Sequence, residues 1–375
     1  MGALFFEPRG IAALTPSGSP SGPALDARLR PLKDLRLSVI DQCNFRCTYC
    51  MPADVYTKDY PFLKASQRLS FEQMLTMATA FVELGVEKIR ITGGEPLLRK
   101  GLEGLIASLA RLTTLDGKPL EIALTTNGSL LAARAKGLRD AGLQRVTVSL
   151  DSLDDAIFQR MNGVGFPVAK VLEGIEAAVA AGLRPVKVNA MIENGVNDNQ
   201  ILPLVRHFRH SGVALRFIEF MDVGGAESWS RDSVLNSAEI QRRVESEFPL
   251  VAAAGRAQDT ARVFRHADGG GDLGFISSVS EPFCGACTRA RVSVEGKLFT
   301  CLFATESLDL RPYLGNGVGS GMGSGASAGQ LADVLRAHWS RRGDRYSELR
   351  SELRDERAAS GKKSYPTVRM SLVGG

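Results

Sequence analysis

The strongest constraint on the fold of this chain is a repeated change of period, in which short strand-like runs alternate with longer amphipathic stretches of helical spacing. The runs fall at Leu35–Ile40, Lys88–Thr92, Ile122–Thr125, Arg145–Ser149, Val186–Ala190 and Leu215–Phe220. A helix is expected over about 70–84, because Ser70-Phe71-Glu72-Gln73 is a capping-box pattern and Gly85 is a stop. Six strand–helix units predict a parallel sheet, since a strand that returns in the same direction needs a crossover. That sheet is either open and doubly wound or a barrel with its site at the strand C-termini. A dinucleotide-binding sheet would carry a glycine fingerprint after its first strand, and none is present.

The first run leads instead into Cys43-Asn44-Phe45-Arg46-Cys47-Thr48-Tyr49-Cys50, three of the six cysteines within eight residues. A Cys-x3-Cys-x2-Cys loop can wrap one inorganic centre, but three thiolates leave one corner of a four-iron cluster open. Zinc is the competing reading, and it normally shows two separated pairs with four ligands. Disulfides are not expected, because no signal peptide is recognised. The remaining cysteines, Cys284, Cys287 and Cys301, again number three, and the nearest histidine is His266. This second trio predicts a second cluster, with zinc or a structural nest of thiols as the alternatives. Thr288-Arg289-Ala290-Arg291 comes directly after Cys287, and on an extended segment alternate guanidinium groups share a side, a fork that suits polyphosphate.

Around these motifs the chain divides into three. Residues 1–31 are rich in Pro, Gly and Ser and read as a flexible arm; 32–223 hold the strand–helix units; 224–375 hold the second cysteine trio, where the alternation is expected to stop. A Gly/Ser-rich insertion spans 315–329 and the chain ends in Gly374-Gly375. With 46 Lys and Arg spread among 41 Asp and Glu, no charge block marks a DNA or RNA surface, and the net +5 fits a small anionic substrate better. No apolar run approaches the roughly 20 residues of a membrane helix. A cytoplasmic enzyme is the expectation. Myristoylation at Gly2 is excluded by Phe6, which stands where Ser or Thr is needed.

Gly93-Gly94-Glu95-Pro96 comes directly after the second run. Two glycines there permit a close approach of backbone to a ligand, although a tight turn is the plainer explanation. Together with the first cysteine loop the motif resembles the radical S-adenosylmethionine superfamily. Further motifs in the same order, namely Asp34 to Val39, Ile91 to Leu97, Thr125-Thr126-Asn127-Gly128, Ser149 to Asp154, Arg216-Phe217-Ile218-Glu219 and the terminal Gly-Gly, resemble within it the GTP 3',8-cyclase family of molybdenum-cofactor biosynthesis, from about residue 32 onward.

The resemblance implies a partial (βα)6 TIM-type barrel whose C-terminal extension closes its open side and carries an auxiliary cluster. It implies two [4Fe-4S] clusters, on Cys43, Cys47 and Cys50 and on Cys284, Cys287 and Cys301. S-adenosylmethionine would meet Tyr49, Gly94, Ser149 and Met221. GTP would meet Arg36, Arg90, Thr125, Lys187, Arg289, Ala290 and Arg291. Catalytic roles are implied for Arg36, Arg216, Arg289, Arg291, Gly374 and Gly375. The implied reaction begins with a 5'-deoxyadenosyl radical that takes hydrogen from ribose C3'; attack on purine C8 and a second reduction give 3',8-cyclo-7,8-dihydro-GTP. Implied partners are an electron donor, the next enzyme of the pathway and a second copy of the chain. A radical enzyme that modifies a peptide and a zinc-stabilised binding protein are the rival readings. Thr288 and Ala290 depart from the Asn and Leu often found in the family.

Overall fold

The computed structural model describes residues 22–223, 229–255, 258–304, 306–315, 328–350 and 370–373. Six strands alternate with helices: β1 (Asp34–Ser38), α1 (Phe71–Glu83), β2 (Lys88–Thr92), α2 (Leu102–Leu109), β3 (Glu121–Thr126), α3 (Leu131–Asp140), β4 (Arg145–Ser149), α4 (Asp155–Asn162), α5 (Val168–Ala180), β5 (Val186–Ile192), α6 (Ile201–Phe208) and β6 (Ala214–Glu219). These six strands pair parallel in chain order. Helix α1 starts as its sequence dictates: the Ser70 hydroxyl accepts from the Gln73 amide at 3.2 Å, and the Gln73 side chain accepts from the Ser70 amide at 3.0 Å.

The partial barrel is extended at both edges by the C-terminal region. After α7 (Ser237–Glu245) and an antiparallel pair, β7 (Leu250–Ala252) and β8 (Arg262–His266), strand β9 (Asp272–Ile276) lies parallel to β6. Strand β10 (Arg289–Val292) lies parallel to β1 and continues antiparallel into β11 (Lys297–Phe299) and β12 (Leu308–Asp309). The expectation that strand–helix alternation ends near residue 224 is therefore corrected. Helix α7 completes the sixth strand–helix unit after β6 and β9 adds a seventh parallel strand, and the β7–β8 hairpin between them breaks the period that sequence reading relies on.

Alternation along each strand sorts the side chains. Leu35, Leu37, Ile89, Ile91, Ile122, Leu124, Val146, Val148, Val188 and Phe217 face the helices and are buried in one continuous core. Each such side chain contributes roughly 1.5–3 kcal/mol by leaving water. The opposite face carries the chemistry.

The flexible-arm reading of residues 1–31 is corrected over its last ten residues. Ala24, Asp26 and Arg30 are buried, and the Ala24 amide donates to the Leu84 carbonyl at 2.8 Å. Residues 1–21 and, of the Gly/Ser-rich insertion, 316–327 lie outside the described residues. Helix α8 (Ala328–Ser340) packs on α1 and buries Trp339.

Candidate active site

The first cysteine loop leaves the C-terminal end of β1 and is stitched to two neighbours by backbone. The Gly94 amide donates to the Ile40 carbonyl at 2.7 Å and the Glu95 amide to the Gln42 carbonyl at 2.8 Å. A Cβ on Gly94 would stand 2.2 Å from the Gln42 oxygen, so only glycine permits this approach. From the other side, the Arg46 amide donates to the Asn162 carbonyl and the Thr48 amide to the Met161 carbonyl, both at the C-terminal end of α4. Gly163 comes next in the left-handed region with φ of 67°, and a Cβ there would meet the Arg46 oxygen at 2.3 Å. Arg46 itself donates to the carbonyls of Cys43, Phe45 and Tyr56.

Four side chains support this loop, Glu95 and Asp151 buried and Asn127 and Tyr49 half-buried. The Glu95 carboxylate accepts from the Leu97 amide, the Asn127 amide and the Thr126 hydroxyl, while burial pushes its pKa up to about 7 against those donors. Asn127 donates to Asn44 at 2.9 Å and faces the Cys43 sulfur at 3.7 Å. The Tyr49 hydroxyl donates to Asp151 at 2.6 Å, and the other carboxylate oxygen of Asp151 accepts from the Met191 amide at 2.9 Å. Burial raises the Cys43 thiol to about 11 and, with the Cys43 charge added, the Cys50 thiol to about 12. Three sulfurs so placed favour a bound cation, which would offset both burial and mutual repulsion.

These cysteines line a cavity of about 1060 Å³ together with Tyr49, Gly94, Ser149, Asp151, Met221 and Met370. A second cavity, of about 1030 Å³, is lined by Cys284, Cys287 and Cys301 and by Arg36, Arg90, Arg216, Arg289 and Arg291. Thr125, Asn189, Ile218 and Met221 line both, so the two chambers share a wall.

Register explains the arginine row. Arg291 is the cross-strand partner of Arg36, and Arg36 of Arg90, so three guanidinium groups stand abreast on the inner face. Nearer the strand N-termini charges are paired, Glu121 meeting Lys88 at 3.1 Å and Arg145 at 2.6 Å. Among the described residues Arg36, Arg90 and Arg216 form no ion pair; Arg90 donates to the Thr125 and Thr147 hydroxyls, each at 3.1 Å. Burial and the neighbouring cations Arg216, Arg145, Lys88 and Arg90 push Lys187 down to about 7. Arg289 stacks over the Phe283 ring at 4.8 Å. Burial would raise the Cys287 thiol, but the guanidinium groups of Arg289 and Arg342 outweigh it and hold the thiol at about 6. All six cysteines are free thiols, and among the described residues no three His, Cys, Asp or Glu side chains converge as the ligands of a single ion would.

The structure thus brings Cys43, Cys47, Cys50, Tyr49, Gly94, Ser149 and Met221 to one chamber and Cys284, Cys287, Cys301, Arg36, Arg90, Arg216, Arg289 and Arg291 to the other, with Thr125 between them. Lys187 faces the same interior but lines neither chamber. Ala290 is a correction: strand alternation turns its side chain into the helix-facing core, where it is fully buried, so its side chain does not reach the substrate chamber. Gly374 and Gly375 lie outside the described residues; just before them Met370 lines the first chamber and Val373 is buried against Val223 and Phe303. Sequence reading assigned no role to Glu95, Asn127 and Asp151, although all three lie inside motifs it quoted. It passed over Asn189 and Glu219 as well. Buried Glu219 accepts from the amides of Ser237, Val279 and Ser280 and so ties β6 to the C-terminal region.

A parallel barrel with a tri-cysteine loop after its first strand and a glycine pair after its second defines a radical S-adenosylmethionine enzyme. The family model for the Radical SAM superfamily matches residues 37–208 and that for Molybdenum Cofactor Synthesis C matches 213–348. The chain is 51% identical over 356 residues to a GTP 3',8-cyclase of Xanthomonas axonopodis pv. citri, covering 95% of this chain and 100% of that one. It is 46% identical to one from Acidothermus cellulolyticus, covering 94% and 99%. The chain belongs to the GTP 3',8-cyclase family. Among solved structures, Streptococcus suis SuiB bound to S-adenosylmethionine matches with a TM-score of 0.54 at 14% identity, over 86% of this chain and 69% of that one, a likeness of fold.

Proposed function

We propose that the chain converts GTP to 3',8-cyclo-7,8-dihydro-GTP, with S-adenosylmethionine in the first chamber and GTP in the second. The observation that carries this reading is the shared wall between a cysteine-lined chamber and an arginine-lined one. Radical transfer requires the two reactants to be adjacent and shielded from water. Bound there, an iron–sulfur cluster with S-adenosylmethionine would supply a carbon-centred radical able to take hydrogen from a ribose carbon.

The residues divide the remaining work. Cys43, Cys47 and Cys50 hold the first cluster. Gly94, Ser149, Tyr49 and Met221 bound the cofactor, with Tyr49 fixed by Asp151. Arg36, Arg90, Arg216, Arg289, Arg291 and Lys187 form a cationic interior complementary to a triphosphate, and Thr125 orients Arg90. Cys284, Cys287 and Cys301, which line the arginine chamber, would hold a second four-iron cluster. Its support is the trio itself, three thiols with no fourth cysteine or histidine nearby in the sequence. A catalytic role for Gly374 and Gly375 is part of this reading; they follow in sequence from Met370, which lines the first chamber. An external electron donor and the next enzyme of the pathway would be the partners of this reaction. Among the described residues no helix is long and apolar enough to cross a membrane.

The test is anaerobic reconstitution and then addition of S-adenosylmethionine, dithionite and GTP. About eight irons per chain, from two four-iron clusters, with 5'-deoxyadenosine formed only when GTP is present, are expected. Turnover of a peptide in place of GTP would overturn the substrate, and zinc without iron would overturn the chemistry.

A further inference from the structure

The second cysteine trio is gripped by a cluster of four charges, three of them buried, that neither the reaction nor the family motifs account for. Arg30 donates through Nη1 to the Cys284 carbonyl at 2.7 Å and through Nε to Asp26 at 2.6 Å. Arg342 donates through Nη1 to the Cys287 carbonyl at 2.8 Å, lies 3.4 Å from the same Asp26 oxygen, and reaches Asp344 through Nε at 3.2 Å. Asp344 accepts from the Thr300 hydroxyl at 2.6 Å, one residue before Cys301. All three cysteines are thereby linked to one network. The side chains of Arg30, Asp26 and Arg342 are 3%, 0% and 1% exposed.

Such a cluster is a costly way to fasten a chain terminus, because each buried charge must be compensated by geometry. Trp339 completes it: its ring lies under the Arg342 guanidinium at 4.5 Å and its indole nitrogen donates to the Arg30 carbonyl at 3.3 Å. The Asp26 carboxylate also caps the amides of Arg28 and Arg30, each at 2.9 Å, which fixes the bend that presents Arg30. Three stretches distant in sequence therefore meet at the Cys284–Cys287 turn.

We propose that Asp26, Arg30, Arg342 and Asp344 are positioning residues that preorganise the second cysteine trio and set the electrostatic environment of the cluster it holds. The inference rests on the proposed second cluster. It makes residues 22–32 part of that site. Removing the Arg342 fork releases the Cys287 carbonyl and leaves Arg30 as the remaining guanidinium between Asp26 and Asp344. The first cysteine loop touches none of these groups, so its cluster is unaffected.

The test compares wild type with Arg342→Gln, Arg342→Lys and Asp26→Asn, each as the full chain. In the metal-free protein, hydrogen exchange at the Cys287 amide, which donates to the Cys284 carbonyl, should accelerate by about tenfold or more in Arg342→Gln through local opening. After reconstitution, Arg342→Gln should lose about half of its iron, falling to the four of a single cluster. Arg342→Lys should restore the iron and leave a shifted reduction potential for the second cluster. Asp26→Asn, which keeps both guanidinium groups, should fold and hold both clusters with that same potential displaced. Unchanged exchange, iron content and potentials in all three variants would overturn the clasp. A wild type that holds only about four irons would overturn the second-cluster reading instead, and the exchange rates of the metal-free chain would still decide whether the network grips the turn.

Discussion

The two cysteine sites are built in opposite ways. The first takes its three cysteines from one loop of eight residues and surrounds them with backbone donors, carboxylates and a tyrosine, so that burial pushes the Cys43 and Cys50 thiols up to about 11 and 12. The second takes its cysteines from both sides of β10 and β11 and sets arginines beside them; Cys287 is held down at about 6 by Arg289 and Arg342, while burial raises the Cys284 thiol and pushes Cys301 up to about 11. An electron-rich surrounding beside one site and a cationic one beside the other give the shared chamber a direction. S-adenosylmethionine is itself a cation and fits the first side; a nucleotide triphosphate is a polyanion and fits the second.

The sharpest way to break this comparison is to delete one ligand on each side. Cys47→Ala should abolish 5'-deoxyadenosine formation altogether, with or without GTP. Cys287→Ala should retain reductive cleavage of S-adenosylmethionine while cyclisation is lost and iron falls by about half, to one four-iron cluster. Equal loss of cofactor cleavage in the two variants would show that the sites do not divide the work.

Next in size is the arginine row. Arg291→Ala removes the outermost of three abreast guanidinium groups, and a charge-assisted hydrogen bond is worth about 1.5–3 kcal/mol, so GTP binding should weaken by about 10- to 150-fold. Binding of S-adenosylmethionine should not change. Calorimetric titration of each ligand checks both halves.

A smaller effect is expected from the opposite wall. Gly94→Ala places a methyl group 2.2 Å from the Gln42 oxygen, and relief of that clash requires the cysteine loop to move off β2. Overpacking of this kind costs about 1–3 kcal/mol, read as a lowered denaturation midpoint of the metal-free chain. The binding loss should fall on S-adenosylmethionine rather than GTP.

The same division separates the parts of the molecule that were legible in the sequence from those that were not. The first site is local: one loop, one glycine pair and the strand ends beside them, each announced by spacing. The alternation that revealed β1 to β6 also placed Arg36, Arg90 and Arg216 on one face, since inner and outer residues differ by a single step. That same step separates Arg289 and Arg291 from Ala290, whose side chain belongs to the core. The second site is assembled from residues 26, 30, 284–301 and 339–344, and no periodicity connects a segment near the N-terminus with one more than 300 residues later. Asp26 and Arg30 sit beside a Pro/Gly/Ser-rich stretch and read as its continuation; only packing against α8 shows otherwise. β9 was hidden for a related reason, because a hairpin stands between it and α7.

The finest test of the comparison is a proton. Lys187 lies among Arg216, Arg145, Lys88 and Arg90, and its pKa is depressed to about 7 by burial and by those charges. A lysine whose folded pKa is lowered binds fewer protons folded than unfolded between about pH 7 and its ordinary value near 10.4, so its contribution to stability without ligand rises with pH across that window. A bound triphosphate reverses the local field and favours the charged amine. GTP binding at pH 8 should therefore take up a fraction of a proton, measurable as a dependence of the apparent binding enthalpy on the ionisation enthalpy of the buffer, and affinity should fall as pH rises above 7. Lys187→Met should remove the uptake while S-adenosylmethionine binding stays the same. Proton uptake that persists in the variant would assign the titrating group elsewhere and would place the phosphates away from the Arg36, Arg90 and Arg216 side of the interior.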